Sequence, residues 1–328
     1  MTDPRSQAPR QKLPRFALDG VLLLDKPLGL SSNDALIRAK RLLQALKAGH
    51  TGTLDPLATG LLPLCFGEAT KFSQDLLEAD KTYEALVRLG ETTTTGDAEG
   101  EVLQTRPVTV DEAAIRAVLP RFTGPISQVP PMYSALKRDG KPLYEYARAG
   151  QTLEREARAV TIHALEMTAC ALPAVAEFSF RVTCSKGTYV RTLAEDIGEA
   201  LGCGAHLRAL RRTAVGPLTL DGAVTLEDLG ALDHAQRVQR LAPVDALLET
   251  LPTIWLDETL ARRFSHGQRL RLDEARCPQA LRACAGASEA IEVKVYAEAD
   301  GDAAVRLLGV ARLDGEALLT PQRLLKTQ

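Results

Sequence analysis

The chain has 328 residues, with 45% hydrophobic and 25% charged side chains and a formal net charge of −2. A prior of ~150 residues per domain gives about two domains, and a chain of this size buries a substantial core. No window approaches ~18 consecutive apolar residues, which excludes a transmembrane helix, and a net charge so near zero does not by itself mark a nucleic-acid binder.

Met1 to Arg15 contains Pro, Gln and Arg and no apolar stretch, so residues 1–18 are expected to be a disordered basic tail and not a signal peptide. Gly20 to Asp25 is a short Val/Leu run and predicts a buried strand. Ser32 offers a helix N-cap, followed at helical spacing by Ala35, Ala39, Leu42, Leu43 and Leu46. Gly49-His50-Thr51-Gly52-Thr53-Leu54-Asp55-Pro56-Leu57-Ala58-Thr59, closed by Gly60, then breaks every periodicity. Pro56 pushes Asp55 out of the helical region, which leaves an acid on an irregular loop. By composition alone, an ordinary Asp-Pro turn and a catalytic loop are both admissible.

Leu61 to Phe66 predicts a strand, Glu68 to Leu77 a helix, and the alternation of Tyr83, Ala85, Val87 and Leu89 a half-buried strand. Thr109-Val110-Asp111-Glu112 has the form of a capping box opening a helix through Val118. Residues 124–152 are punctuated by Gly124, Pro125, Pro130, Pro131, Gly140, Pro142 and Gly150, the mark of a long irregular insertion. Strands are expected at 158–168 and 176–184 and a helix at 188–201. An Ala- and Leu-rich stretch near 230–250 leads into a β-rich unit, with strands at 254–256, 291–296 and 304–311 and an insert at 273–289.

The cysteines at 65, 170, 184, 203, 277 and 284 include no Cys-x-x-Cys pair, which fits a reduced, cytoplasmic setting. Cys203 and His206 have a ligand-like spacing without a second pair, so no metal is expected. Residues 1–50 hold nine Lys/Arg against four Asp, and further basic clusters occur at 137–138, 206–212 and 262–271. These are compatible with a stripe for phosphates and equally with solvated helix and strand faces.

The stretch from His50 to Lys71 resembles the signature of the TruB family, the bacterial tRNA pseudouridine-55 synthases. The resemblance continues in order through Gly20 to Asp34, Lys81-Thr82-Tyr83-Glu84, Thr94 to Gly100, Pro131 to Lys137, Leu143 to Arg148, Ser185 to Arg191, Gly202 to Leu207 and Leu210-Arg211-Arg212-Thr213. It implies an α+β catalytic domain with a central mixed, largely antiparallel sheet over 19–250, and a thumb-like insertion at about 124–152. A PUA-like RNA-binding domain over 251–328 would follow.

The implied activity is isomerisation of uridine to pseudouridine at position 55 in the T-loop of tRNA, by base flipping. No cofactor, metal, guide RNA or obligatory protein partner is implied, and the tRNA T-arm stem-loop is the partner. By the same resemblance Asp55 is the nucleophile, Arg191 its cationic partner, and Tyr83 the ring that stacks on the base, with proton removal a second possible duty. His50 fills the space vacated in the RNA, Leu210 packs against uracil, and Lys26 is a basic residue near the site. Alternatives from other classes are an RNA-binding protein without chemistry and a guide-RNA-dependent synthase. The joint presence of Asp55, Tyr83 and Arg191 argues against the first. The second is disfavoured by the lack of long Lys-rich tails and by the bacterial look of His50 to Lys71.

Overall fold

The computed structural model describes residues 14–277, 290–298 and 305–326. Most of the expected basic tail and most of the 273–289 insert lie outside them. Two compact units are present: residues 1–67 with 76–241, and residues 68–75 with 242–328.

The first unit is built on one mixed sheet. Its chain order begins with β1 (Gly20–Lys26), α1 (Ser32–Leu42), β2 (Ala48–His50) and β3 (Ala58–Phe66). After α2 (Ser73–Glu78) come β4 (Lys81–Leu89) and a small hairpin of β5 (Glu91–Thr93) and β6 (Val102–Thr105). Next are α3 (Glu112–Val118), β7 (Gly124–Gln128), the short hairpin β8 (Lys137–Arg138) and β9 (Lys141–Pro142), and α4 (Leu143–Arg148). The unit closes with β10 (Arg158–Cys170), β11 (Glu177–Cys184), α5 (Val190–Ala200), β12 (Ala205–Val215), β13 (Leu218–Thr219), α6 (Leu226–Ala231) and α7 (His234–Val238).

Strand order is β1-β3-β12-β4-β11-β10-β7, with β2 on β3 and β13 on β12. Every pairing is antiparallel except β3 with β12. The core lies on the apolar face of this sheet and gathers Leu22, Leu62, Phe66, Val87, Phe178, Phe180 and Leu207. Helix α5 covers it with Val190, Leu193, Ala194 and Ile197, the spacing of one helical face.

Several local expectations are corrected. Ser31, not Ser32, caps α1, its hydroxyl accepting from the Asp34 amide, and Ser32 is buried. The cap of α3 is Asp111, which accepts from Ala114, so the Thr109 box does not form. Residues 67–71 are a 3₁₀ turn, and only 73–78 are α-helical, because the turn ends at buried Phe72. The irregular insertion starts after Gln128, since 124–128 form β7 and pair with β10. Residues 14–18 are ordered: Phe16 bridges to Ala45, its amide donating to Gln44, and its ring lies against His234.

The largest addition is β12, the strand between β3 and β4. Residues 206–212, expected as a solvated or phosphate-facing basic cluster, are its interior. His206 and Arg212 are buried and Arg211 pairs with Asp25 at 2.7 Å, leaving Arg208 exposed.

The second unit is a five-stranded sheet ordered β14 (Thr253–Leu256), β16 (Ile291–Ala297), β17 (Arg306–Leu313), β18 (Leu318–Leu324), β15 (Leu270–Arg271), with α8 (Glu258–Ser265). Ile254, Leu256, Phe264, Val293, Val295 and Leu313 fill its core. Residues 68–75 belong to it. Lys71 donates to the Leu324 carbonyl at 2.8 Å, Arg323 pairs with Asp75 at 2.9 Å, and the Arg323 guanidinium lies over the Phe72 ring.

Candidate active site

Asp55 sits on the connection between β2 and β3, and four neighbours fix that connection. Ser32 serves Leu54 twice, accepting from its amide at 2.7 Å and donating to its carbonyl at 3.1 Å, while the Leu54 side chain is buried in the core. Lys26, fully buried, donates to the carbonyls of Pro27, Leu30 and Pro56. The Gly29 amide donates to Pro56, and Arg212 donates to the carbonyl of Gly52 at 3.2 Å. At Gly60 the backbone of β3 approaches β12 so closely, at φ +98°, that a Cβ would stand 2.2 Å from the Arg212 carbonyl. Only glycine fits there.

Arg191 lies in the first turn of α5 and is 5% exposed. Its Nη2 lies 2.9 Å from Asp55 Oδ2 and its Nε 3.6 Å from Asp97 Oδ2. It also donates to the carbonyls of Thr95 at 2.8 Å and Tyr133 at 2.6 Å. The guanidinium thus stands between two carboxylates and binds the 94–100 turn to the insertion. That turn is fastened to β12 by main-chain bonds between Ala98 and Leu207 and between Leu207 and Gly96. The entry to α5 is held by Gln128, whose side-chain amide bonds both the N–H and the C=O of Tyr189.

Burial pushes the Asp55 carboxyl above its usual value. The Arg191 guanidinium pulls it back down, and Asp97 pushes it up again. Desolvation is the larger effect and outweighs the guanidinium. The side chain keeps 42% exposure, so its outer oxygen opens to space.

That space is two cavities that share Asp55 and Arg191. One, of about 260 Å³, is lined by Tyr83, Leu210, Arg212, Lys81 and Tyr189. The other, of about 560 Å³, is lined by His50, Asn33, Asp97, Glu99 and the insertion residues Tyr133 and Tyr144.

Tyr83 follows Lys81 and precedes Ala85 and Val87 on the core-facing side of β4, and it packs against that core, so it is a core tyrosine and a cavity wall together. Burial raises its phenol pKa, keeping the hydroxyl protonated at neutral pH. Burial lowers the Lys26 and Lys81 ammonium groups to about 8 each. His50 is half-buried, its pKa lowered by burial and by Arg212, and its Nδ1 has no hydrogen-bond partner.

Five of the six residues singled out from sequence therefore line a cavity: Asp55 and Arg191 both, Tyr83 and Leu210 the smaller, His50 the larger. Lys26 lies under the loop instead, holding its carbonyls. Four residues had no role assigned from sequence: Asp97, Lys81, Tyr189 and Arg212. All stand inside quoted motif stretches; Asp97, Lys81 and Arg212 are buried, Tyr189 is half-buried, and only their place on the cavity walls or beside Arg191 distinguishes them. Among the described residues, no group of three or more His, Cys, Asp and Glu is arranged to hold a metal ion.

Family models match nearly all of the chain. The "TruB family pseudouridylate synthase (N terminal domain)" covers 40–190, the "tRNA pseudouridylate synthase B C-terminal domain" 191–249, and "Pseudouridine synthase II TruB, C-terminal" 252–325. The chain belongs to the TruB family of pseudouridylate synthases. A TruB relative, the tRNA pseudouridine synthase B of Burkholderia mallei (strain ATCC 23344), is 70% identical over 320 residues, 98% of each chain. That of Cupriavidus pinatubonensis (strain JMP 134 / LMG 1197) is 63% identical over 329 residues, 99% of this chain and 100% of its own. Among solved structures, the archaeal box H/ACA sRNP Nop10-Cbf5 complex contains a chain that superposes with a TM-score of 0.66 at 26% identity, covering 94% of this chain and 86% of that one. The α+β class and the largely antiparallel sheet are those of this family.

Proposed function

We propose that this TruB-family chain isomerises uridine to pseudouridine at position 55 in the T-loop of tRNA, acting without a guide RNA, with Asp55 as nucleophile. The observation that carries this is a carboxylate held by a buried guanidinium at the junction of two cavities, one of them walled by an aromatic ring and a leucine. The full-length relatives bearing the name tRNA pseudouridine synthase B support the choice of RNA.

The reaction breaks the N1–C1′ bond, turns the uracil and joins C5 to C1′. C5 loses a proton and N1 gains one, so nothing is added or removed overall. Covalent attack by a carboxylate divides that change into easier steps. Whether Asp55 attacks uracil C6 or ribose C1′, Arg191 orients it and stabilises the ionised form. Tyr83 and Leu210 hold the ring in the smaller cavity. The flipped base costs a few kcal/mol of stacking, and His50, facing the larger cavity, fills the space the base leaves.

Arg38, Lys40, Arg41 and Lys47 around α1, with Lys137 and Arg138 on the insertion hairpin, are exposed or, for Lys40, half-buried, and supply phosphate contacts. The second unit is assigned as a PUA-like RNA-binding domain, and the protein works as a soluble cytoplasmic enzyme. The test uses purified protein and a transcribed T-arm stem-loop with no other factor. Pseudouridine mapped to position 55 is expected, whereas RNA binding with no product would refute catalysis and product elsewhere would refute the position.

A further inference from the structure

Gln128 ends β7 and is buried, at 2% exposure. Its side-chain amide holds a single residue by both of its main-chain groups. Oε1 accepts from the Tyr189 N–H at 3.1 Å, and Nε2 donates to the Tyr189 C=O at 3.3 Å. Two residues facing each other in an antiparallel pair exchange bonds in this way, but here a side chain takes the part of the second strand. Burying an amide is costly unless it is bonded. An apolar side chain of similar length would fill the space without that cost, so packing alone does not call for glutamine.

Tyr189 is the N-cap of α5, and its side chain makes no capping bond. Such a bond ordinarily fixes where a helix starts. Here the fixed point comes from another strand, and the Tyr189 carbonyl also accepts from the Leu193 amide of the helix at 3.0 Å. Arg191 follows two residues later. Its guanidinium must meet Asp55 at 2.9 Å, Asp97 at 3.6 Å and the Tyr133 carbonyl at 2.6 Å together. Gln128 is also the root of the insertion, because the chain leaves the sheet there and returns at Arg158, its cross-strand partner.

We propose that Gln128 is a positioning residue for Arg191: by clamping the Tyr189 main chain it fixes the start of α5 and so the aim of the guanidinium at Asp55. The inference rests on the roles given to Asp55 and Arg191 above. The insertion is thereby joined to α5 at two points, its root through Gln128 and its interior through Tyr133.

The test follows the Asp55 carboxyl by carbon-13 NMR, alongside single-turnover assays on the T-arm stem-loop. The charged and titratable groups acting on that carboxyl are Arg191, Asp97 and Lys26, with Glu99, Tyr83 and Tyr189 coupled to it. Gln128 is uncharged and lines neither cavity, so any change it causes at Asp55 is transmitted. Gln128→Leu is expected to raise the carboxyl midpoint by about half a pH unit or more, about threefold in ionisation. It should slow turnover about tenfold and leave RNA affinity within about threefold. In an Arg191→Lys background, Gln128→Leu should cost about twofold or less, because it acts through the guanidinium. A folded Gln128→Leu protein with an unmoved midpoint overturns the proposal, as do rate losses that simply multiply.

If the unaltered protein makes no pseudouridine, the functional reading fails, while the midpoint still measures the clamp. Should Gln128→Leu not fold, Gln128→Glu decides. Protonated, its carboxyl offers the same donor and acceptor, but once ionised it has no donor left for the Tyr189 carbonyl. Its turnover relative to the unaltered protein must therefore fall as pH rises, and a constant ratio refutes the clamp.

Discussion

Replacing Arg191 by lysine keeps the charge and removes the geometry. The guanidinium spans Asp55 at 2.9 Å, Asp97 at 3.6 Å, and the carbonyls of Thr95 and Tyr133 at 2.8 and 2.6 Å. These partners lie on different sides of a planar fork, and a single ammonium nitrogen on a flexible stem cannot meet them together. A hydrogen bond to a charged group is worth about 1.5–3 kcal/mol. Loss of the one that aims Asp55 corresponds to a fall of about 100-fold in the chemical step, or ~2.7 kcal/mol.

The pH dependence sharpens the expectation for Arg191→Lys. Burial already holds the Asp55 carboxyl above its usual value, with the Arg191 guanidinium acting in the opposite direction. A weaker contact lets that value climb further, and the ionised acid is the reactive form. The acid limb of the rate profile therefore moves toward neutral pH, and the deficit of the lysine variant narrows as pH rises without closing. Single-turnover rates on a T-arm stem-loop across pH measure both effects. A rate within about threefold of the unaltered protein, or an acid limb that does not move, refutes the orienting role.

Asp55→Asn should abolish pseudouridine formation while leaving RNA affinity within about tenfold, ~1.4 kcal/mol, with mass spectrometry excluding deamidation. The same variant should melt no lower at pH 7. A carboxyl whose folded value is raised loses stability as pH rises through that window, and asparagine removes the cost. A lower melting temperature would contradict the desolvation argument. Ser32→Ala strips Leu54 of a donor and an acceptor inside the core and should cost about 1–3 kcal/mol in denaturant unfolding. An unchanged midpoint would mean the loop is held by Lys26, Gly29 and Arg212 alone. With the 206–212 cluster largely buried or paired, the cations of the first unit proposed to meet phosphates reduce to Arg38, Lys40, Arg41, Lys47, Lys137 and Arg138. If all six act, the slope of log K against log salt should be about −4 to −5, and Arg41→Ala should flatten it by about one. A flat dependence would mean these charges face away from the RNA.

The residues legible in sequence were those whose surroundings are local. Val87 and Leu89 announce a strand by alternation, and Pro56 and the flanking glycines announce an irregular loop around Asp55. What was not legible depends on contacts distant along the chain. Arg212 and His206 read as surface cations because nothing local says that β12 is sandwiched between β3 and β4. Two register shifts, at Leu207/Ala209 and Arg212/Ala214, also break its alternation. Ser32 looks like a cap, one position from the true one, because its partner Leu54 is 22 residues away. Asp97 looks like a turn residue until the helix carrying Arg191 is placed beside it.

The membership of residues 68–75 in the second unit has a consequence for synthesis. Asp75 and its partner Arg323 are 248 positions apart. At about 5–20 residues per second, the ribosome takes roughly 12–50 s to deliver the arginine after the aspartate. During that interval Phe72, fully buried in the finished protein, has no Arg323 over its ring. Once β12 has been made, the strands of the catalytic sheet are all present while this segment still waits, so a chain that stops before Arg323 carries that sheet with Phe72 lacking the guanidinium that covers it in the finished protein. Phe72 in such a chain is expected to be a point at which chaperones or proteases engage it, well away from the point where synthesis failed.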